Sequence, residues 1–374
     1  MNRMKAPFQV SFLPWAGLEE EIQIGPITFW PFHTKAEENI NEKCIKDQLK
    51  RILKSYVDHK GDPVKTITIC SHGAHDFREL RKKEFDELVC AVDALIFATI
   101  CPTVKHAICN NNRSMGPPSA DRYQLITQNF TPGINDISIR AGNTLHGGWK
   151  IGDVTFTEPW HMGGYFASQD KELLKGLGKV LDDNFSSGIR DRIFRSLEWF
   201  RLAHTQSDVV SELSKVVMMA TAFEIVLQVS KNGGKKREIA KKLEKRFKND
   251  LSIEEEKTTR KGTVTFPKIS CWAWDFYELR NEIVHGDNID PKRLGCGFDG
   301  REWLTHSIIA DLVYLQIIVN ELFTHKLIGE AERDFNAKLA GDKPESYECI
   351  MMDSMLDFSD VHKTLGWENE RSIE

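Results

Sequence analysis

No pair of cysteines in this 374-residue chain follows a Cys-x-x-Cys spacing, although eight cysteines are present. Scattered thiols argue against a zinc knuckle and against a stapled secreted domain, so a reducing cytoplasm is the expected setting. The chain also lacks a P-loop and a dinucleotide-binding glycine fingerprint, which leaves nucleotide hydrolysis of the usual type without support. It lacks His-Glu-x-x-His and shows no internal repeat or low-complexity tract. No apolar run reads as long enough to cross a membrane, and Met1-Asn2-Arg3-Met4-Lys5 is not followed by the apolar stretch of a secretory signal. Nor is there a large excess of either charge. A net charge of −5 argues against a general polyanion binder, so any nucleic-acid contact has to be local.

What is present suits a protein with sizeable cores. At 374 residues, 41% hydrophobic and 28% charged, the chain has the length of two domains. The first half alternates short β-branched or aromatic runs with Gly, Pro and Asn. Phe8 to Leu13, Ile22 to Trp30, Thr66 to Cys70, Tyr123 to Phe130, Ile137 to Ile139 and Val154 to Glu158 read as strands. Glu38 to His59 and Phe77 to Ile100 carry helical spacing. The second half is helical: Ile189 to His204, Asp208 to Leu227 and Trp303 to Leu327 are rich in apolar positions, the last two almost without interruption. The expected fold class is therefore α+β. A mixed domain covers 1–165, a connection 166–188, a helical bundle 189–330, and a polar tail 331–374.

The most informative segment is Arg280-Asn281-Glu282-Ile283-Val284-His285-Gly286. At about 100° per residue, Phe276, Leu279, Ile283 and Val284 form one apolar arc, and Arg280 falls inside it. A guanidinium does not shed its charge on burial, so it needs an anion, a carboxylate or an interface. Asn281 and His285, four apart, share an adjacent face, and Gly286 is suited to end the helix. Arg, a polar residue, three further positions and His, with Tyr277 upstream and Val284-His285-Gly286 closing the segment, resembles the signature of the HEPN superfamily. The likeness is to the C-terminal HEPN modules of anti-phage and stress-response proteins. It spans roughly residues 186 to 330 and is sharpest over seven of them.

The resemblance implies a bundle of four or five helices and a metal-independent endoribonuclease acting as a defence or toxin-like effector, with no cofactor. Arg280 would hold the scissile phosphate, Asn281 orient phosphate or histidine, and His285 act as general base or acid. The products would be a 2′,3′-cyclic phosphate and a 5′-hydroxyl. It also implies a two-fold homodimer that brings two copies of the motif into one cleft, and a first domain that senses a trigger or answers to a regulatory partner protein. Two alternatives stay open. The module is a non-catalytic binder of nucleotide, RNA or protein, or Arg280 simply pairs with Glu224 while Asn281 and His285 cap the helix.

Glu224 is the one acid in Ala220 to Leu227, where an unpaired carboxylate is costly. Arg280 is its natural partner, and the resemblance makes Glu224 and Tyr277 orienting residues; the plainer reading puts Glu224 on a wet strip beside Thr221. Lys231 to Lys248 (KNGGKKREIAKKLEKRFK) reads as a basic helix with Ile239, Leu243 and Phe247 facing inward. Lys235, Lys236, Arg237, Lys241 and Lys242 are candidate RNA contacts there, against the alternative of a solvated face. Ser71-His72-Gly73-Ala74-His75-Asp76 follows a strand and tempts a hydrolase or metal reading, but its spacing fits no common metal motif. A polar turn with Asp76 near the start of the next helix is the expectation. His146-Gly147-Gly148-Trp149 and Trp160-His161-Met162-Gly163-Gly164 read as turns with aromatics that line a pocket or only shape loops.

Overall fold

The computed structural model describes residues 8–33, 43–73, 77–109, 119–130, 136–141, 144–150, 155–160, 169–182, 184–205, 210–230, 234–246, 254–259, 262–295 and 305–328. The expected tail at 331–374, His75, Asp76, His161 to Gly164, Trp303, Phe247 and Lys248 lie outside them. The fold is α+β, with the sheet in the first half and helices dominating the second. In chain order the first half comprises β1 (Phe8–Leu13), β2 (Ile22–Ile24), β3 (Ile27–His33), α1 (Lys43–Ser55), β4 (Tyr56–Val57), β5 (Thr66–His72), α2 (Lys82–Cys109), β6 (Ile126–Phe130), β7 (Asp136–Ala141), β8 (Thr144–Lys150) and β9 (Phe156–Thr157). Seven of these strands form an antiparallel sheet in the order β2-β3-β5-β1-β6-β7-β8. β4 and β9 make a separate parallel pair.

Period-two alternation sorts the side chains between the two faces. Val10 and Phe12 of β1, Trp30 and Phe32 of β3, and Ile67 and Ile69 of β5 pack with Leu49, Ile52 and Leu53 of α1. Leu13, Ile27, Phe29 and Cys70 turn the other way, onto α2. α2 is apolar nearly all round, with Leu88 and most of Ala91 to Cys101 buried, because the sheet covers one side and the helices of the second half the other. The second half comprises α3 (Lys171–Val180), α4 (Ser187–Ala203), α5 (Glu212–Val226), α6 (Lys235–Arg246), a hairpin of β10 (Glu254–Thr259) and β11 (Gly262–Pro267), α7 (Lys268–His285) and α8 (His306–Thr324). One core cluster runs from Leu13 through α2 to Leu327, so packing is continuous across residue 165.

Several expectations are corrected. Windows in α2 (Lys82–Val104) and α8 are long and apolar enough to cross a membrane, but 83% and 72% of them are buried against the protein itself. The stretch His146 to Trp149 belongs to strand β8. The expected connection at 166–188 contains helix α3, capped by the Asp170 carboxylate on the Leu173 N–H at 3.0 Å. α2 starts at Lys82, five residues later than expected, and the acid at its head is Glu84, which takes the Arg81 N–H at 2.8 Å.

α3 lies close against the β2–β3 turn. Gly25 has φ +57°, and a Cβ on Gly178 would sit 2.7 Å from the Gly25 backbone nitrogen. Gly178→Ala is therefore expected to push the helix from the turn and cost about 1–3 kcal/mol, read as a lower urea midpoint than for Gly188→Ala, where a Cβ meets nothing within 4 Å.

Ion pairs at low exposure stitch α4 to its neighbours. Arg201 meets Asp93 of α2 at 2.5 Å, Arg192 meets Glu321 of α8, and His204 meets Asp311 of α8 at 3.0 Å. Burial raises the Asp93 carboxyl to about 6 even against the pull of Arg201. Burial alone would lower His204, but the Asp311 carboxylate outweighs it and raises the imidazole above its ordinary value.

Candidate functional site

α7 buries Ile269, Trp272, Ala273, Phe276, Tyr277 and Leu279 in the main core, and Cys271 and Trp274 on another side against Ala240 of α6, so its first turns are covered nearly all round. Its last turn leaves the core: Ile283 is half-buried and Val284 is 51% exposed, so the apolar arc read from the sequence is only partly covered. A Schellman ending terminates it, with Gly286 at φ +78°, its N–H on Ile283 O at 3.1 Å and the Asp287 N–H on Glu282 O at 3.0 Å. His285 thus sits exposed at the negative end of the helix.

Arg280 points back toward α5. Its guanidinium stacks over the Tyr277 ring at 5.4 Å, reaches Glu224 Oε1 at 3.7 Å through one terminal nitrogen and donates to Asn281 Oδ1 at 3.2 Å through the other. Its side chain is 21% exposed, and its buried Nε has no partner among the described residues. Glu224, in the last turn of α5, is the hub: it accepts from the Tyr277 hydroxyl and pairs with Lys235 of α6 at 2.5 Å. The wet-strip reading of Glu224 is thereby replaced by a carboxylate held between two cations and a phenol.

The guanidinium is therefore fixed, as a charge used on a ligand needs to be. Asn281 stands beside it, half-buried. His285 is five residues further, about 7.5 Å along the axis, without a partner among the described residues. At about 100° per residue the two positions also stand about 140° apart around the helix.

The basic helix divides. Ile239 and Leu243 face inward as expected. Lys235 is committed to Glu224, while Lys236 pairs with Glu278 at 2.8 Å and lies over the Trp274 ring at 4.8 Å. Lys242 donates to the carbonyls of Leu227 and Gln228 at 2.8 and 2.7 Å, closing the end of α5. Arg237 and Lys241 are exposed. The outward charge on this helix is thus smaller than its sequence suggests.

Two groups escaped the sequence reading. The first is His306, opening α8, which is buried against Trp272 and Phe276 with Nδ1 lacking a partner among the described residues. Burial, then Arg293, lowers its pKa from 6.5 to about 4. Because the folded value is the depressed one, its contribution is present above pH 6.5 and is lost as pH falls toward 4. Replacing it by Phe is expected to remove a pH-dependent term on the order of 3 kcal/mol, measured as the difference between wild-type and H306F unfolding free energies at pH 7 and pH 4.

The second is Glu87, whose Oε2 lies 3.0 Å from Nε2 of His72 and joins α2 to the end of β5. Fifteen residues separate them, and only the α2 packing brings them together. Among the described residues no cluster of three metal-ligating side chains occurs. The chain matches no protein-family model, no curated protein and no solved structure.

Proposed function

We propose that the protein is a metal-independent endoribonuclease of the HEPN type. The observation that carries this reading is the clamp on Arg280: a permanent cation fixed by Glu224, Tyr277 and Asn281, five residues before an exposed histidine on the same helix. In the proposed reaction a base removes the proton of the 2′-hydroxyl, the 2′-oxygen attacks phosphorus, and the bond to the 5′-oxygen breaks as an acid protonates it. Arg280 offsets the charge building on the phosphorane, Asn281 orients the phosphate, and His285 is base or acid. Arg237 and Lys241, exposed on α6, guide the strand.

One histidine per chain serves one proton transfer. A two-fold pairing of the α7 ends supplies the second, and the exposed Val284 beside His285 supports such a face. The protein acts in the cytoplasm as a defence or toxin-like effector, and its sheet-bearing half answers to the trigger or to a regulatory partner.

A second reading, a non-catalytic RNA- or nucleotide-binding module, is favoured by one fact: the guanidinium already has a carboxylate partner. Incubation of wild type with total tRNA and a structured RNA in EDTA separates the two. Cleavage is the expected result; RNA retained intact on the protein supports the binder.

A further inference from the structure

Glu224 meets three donors and satisfies them unequally. Its Oε2 takes the Lys235 ammonium at 2.5 Å, its Oε1 takes the Tyr277 hydroxyl, and Arg280 stands 3.7 Å from that same Oε1, beyond hydrogen-bond range. Arg280 comes third. One guanidinium nitrogen donates to the uncharged amide oxygen of Asn281 at 3.2 Å, and the buried Nε has no partner among the described residues. A guanidinium carries five N–H donors and keeps its charge, so this one is short of acceptors.

The neighbouring charges do not make good the shortfall. Among the described residues Lys236 is paired with Glu278 at 2.8 Å and Arg293 with Glu282 at 3.1 Å, and both pairs are neutral. Lys235 and Arg280 are left with one carboxylate between them. The cluster joining α5, α6 and α7 therefore holds one positive charge in excess, and the Arg280 side chain that carries it is 21% exposed. Without Lys235, Oε2 of Glu224 is released, and the carboxylate is free to turn onto Arg280 as a two-point pair, the strongest common geometry for these groups. The cation would then be closed to any other anion.

We propose that Lys235 is a positioning residue: by holding Oε2 of Glu224 to the start of α6, it keeps Glu224 from neutralising Arg280 and leaves the guanidinium open to a phosphodiester oxygen. Lys235 acts through Glu224 and does not touch the RNA. The inference rests on the reading of Arg280 as the residue that holds phosphate.

Fluorescence anisotropy of a 2′-O-methyl RNA decamer, which attack by a 2′-hydroxyl cannot cut, tests it without depending on cleavage. Lys235→Ala is expected to weaken binding by about tenfold or more, the loss of one charge-assisted contact at Arg280. Adding Glu224→Gln to Lys235→Ala is expected to restore it to within about twofold of wild type, because Gln still accepts from the Tyr277 hydroxyl but carries no charge to set against Arg280. In an Arg280→Ala background, Lys235→Ala is expected to weaken binding no further. Absence of binding by wild type, unchanged binding by Lys235→Ala, or a double variant as weak as Lys235→Ala, which is the result for a direct lysine contact with RNA, overturns the proposal. Cleavage of unmodified RNA by the wild type, measured alongside, keeps the two readings apart: cleavage without the Glu224→Gln rescue strikes the role of Lys235 alone, and rescue without cleavage strikes the ribonuclease reading alone.

Discussion

Arg280→Ala is expected to slow RNA cleavage by about a hundred- to a thousandfold without unfolding the protein. The loss is the stabilisation of charge on the phosphorane, which no neighbour replaces in place: Lys235 is committed to Glu224 at 2.5 Å and Lys236 to Glu278 at 2.8 Å. The fold survives because Glu224 keeps Lys235 and the Tyr277 hydroxyl when the guanidinium goes. No buried charge is stranded, and a stability change of about 1 kcal/mol or less is expected. His285→Ala is expected to lose about as much through missing proton transfer, with no stability penalty, since the ring is exposed. Single-turnover cleavage beside urea unfolding of the same samples checks both. A variant that cuts at the wild-type rate would remove its residue from the chemistry.

Phe200→Ala is expected to produce the largest loss of stability, about 3–5 kcal/mol in urea unfolding. The ring is fully buried where the two halves meet. It stacks on Tyr314 of α8 at 5.3 Å, receives the edge of Phe97 from α2 at 5.1 Å, and lies 4.1 Å from the His204 ring. Tyr314 is held by its hydroxyl on Ser196 Oγ at 2.6 Å, so it cannot swing freely into the vacated space. A cavity remains, and the lost contacts span α2, α4 and α8 at once. Trp160→Ala, removing a larger ring that is 79% exposed, is expected to change stability by about 0.5 kcal/mol or less. Equal losses for the two would mean that this aromatic cluster does not hold the sheet and helices together.

What could be read in the sequence follows from how locally each element is determined. β1 came out at its observed limits because Phe8 to Leu13 is a β-rich run bounded by a Pro on either side. α8 was legible from its unbroken apolar run. α3 lies inside a stretch that reads as a connection on the strength of Asp182-Asp183-Asn184 and Ser186-Ser187-Gly188, and its own two glycines, Gly176 and Gly178, give no helical signal. In the fold they are the points where Leu322 and Ile328 on one side and Gly25 on the other come too close for a side chain. β8 was taken for a turn on account of Gly147-Gly148, yet it pairs along β7 with an irregularity between Ile137 and Ile139. β10 was missed because its Glu-Glu-Glu-Lys-Thr-Thr sequence has none of the apolar alternation that marks a half-buried strand.

The candidate site divides in the same way. Arg280, Asn281 and His285 share one helix, so their spacing was visible, and an acid inside the apolar run of α5 flagged Glu224. Lys235 was noticed for its charge, but its bond to Glu224 depends on how α6 docks beside α5, which no local pattern encodes. The same holds for His72 and Glu87, and for His306, whose burial depends on Trp272 and Phe276 arriving from α7.

The most direct test of the ribonuclease assignment is the chemistry of the RNA ends after incubation with the wild-type protein in EDTA. Attack by the 2′-hydroxyl predicts fragments ending in a 2′,3′-cyclic phosphate and beginning with a 5′-hydroxyl that polynucleotide kinase labels without prior phosphatase treatment, and neither end in the Arg280→Ala sample. Fragments beginning with a 5′-phosphate, or the same ends at the same rate from Arg280→Ala, would contradict the account.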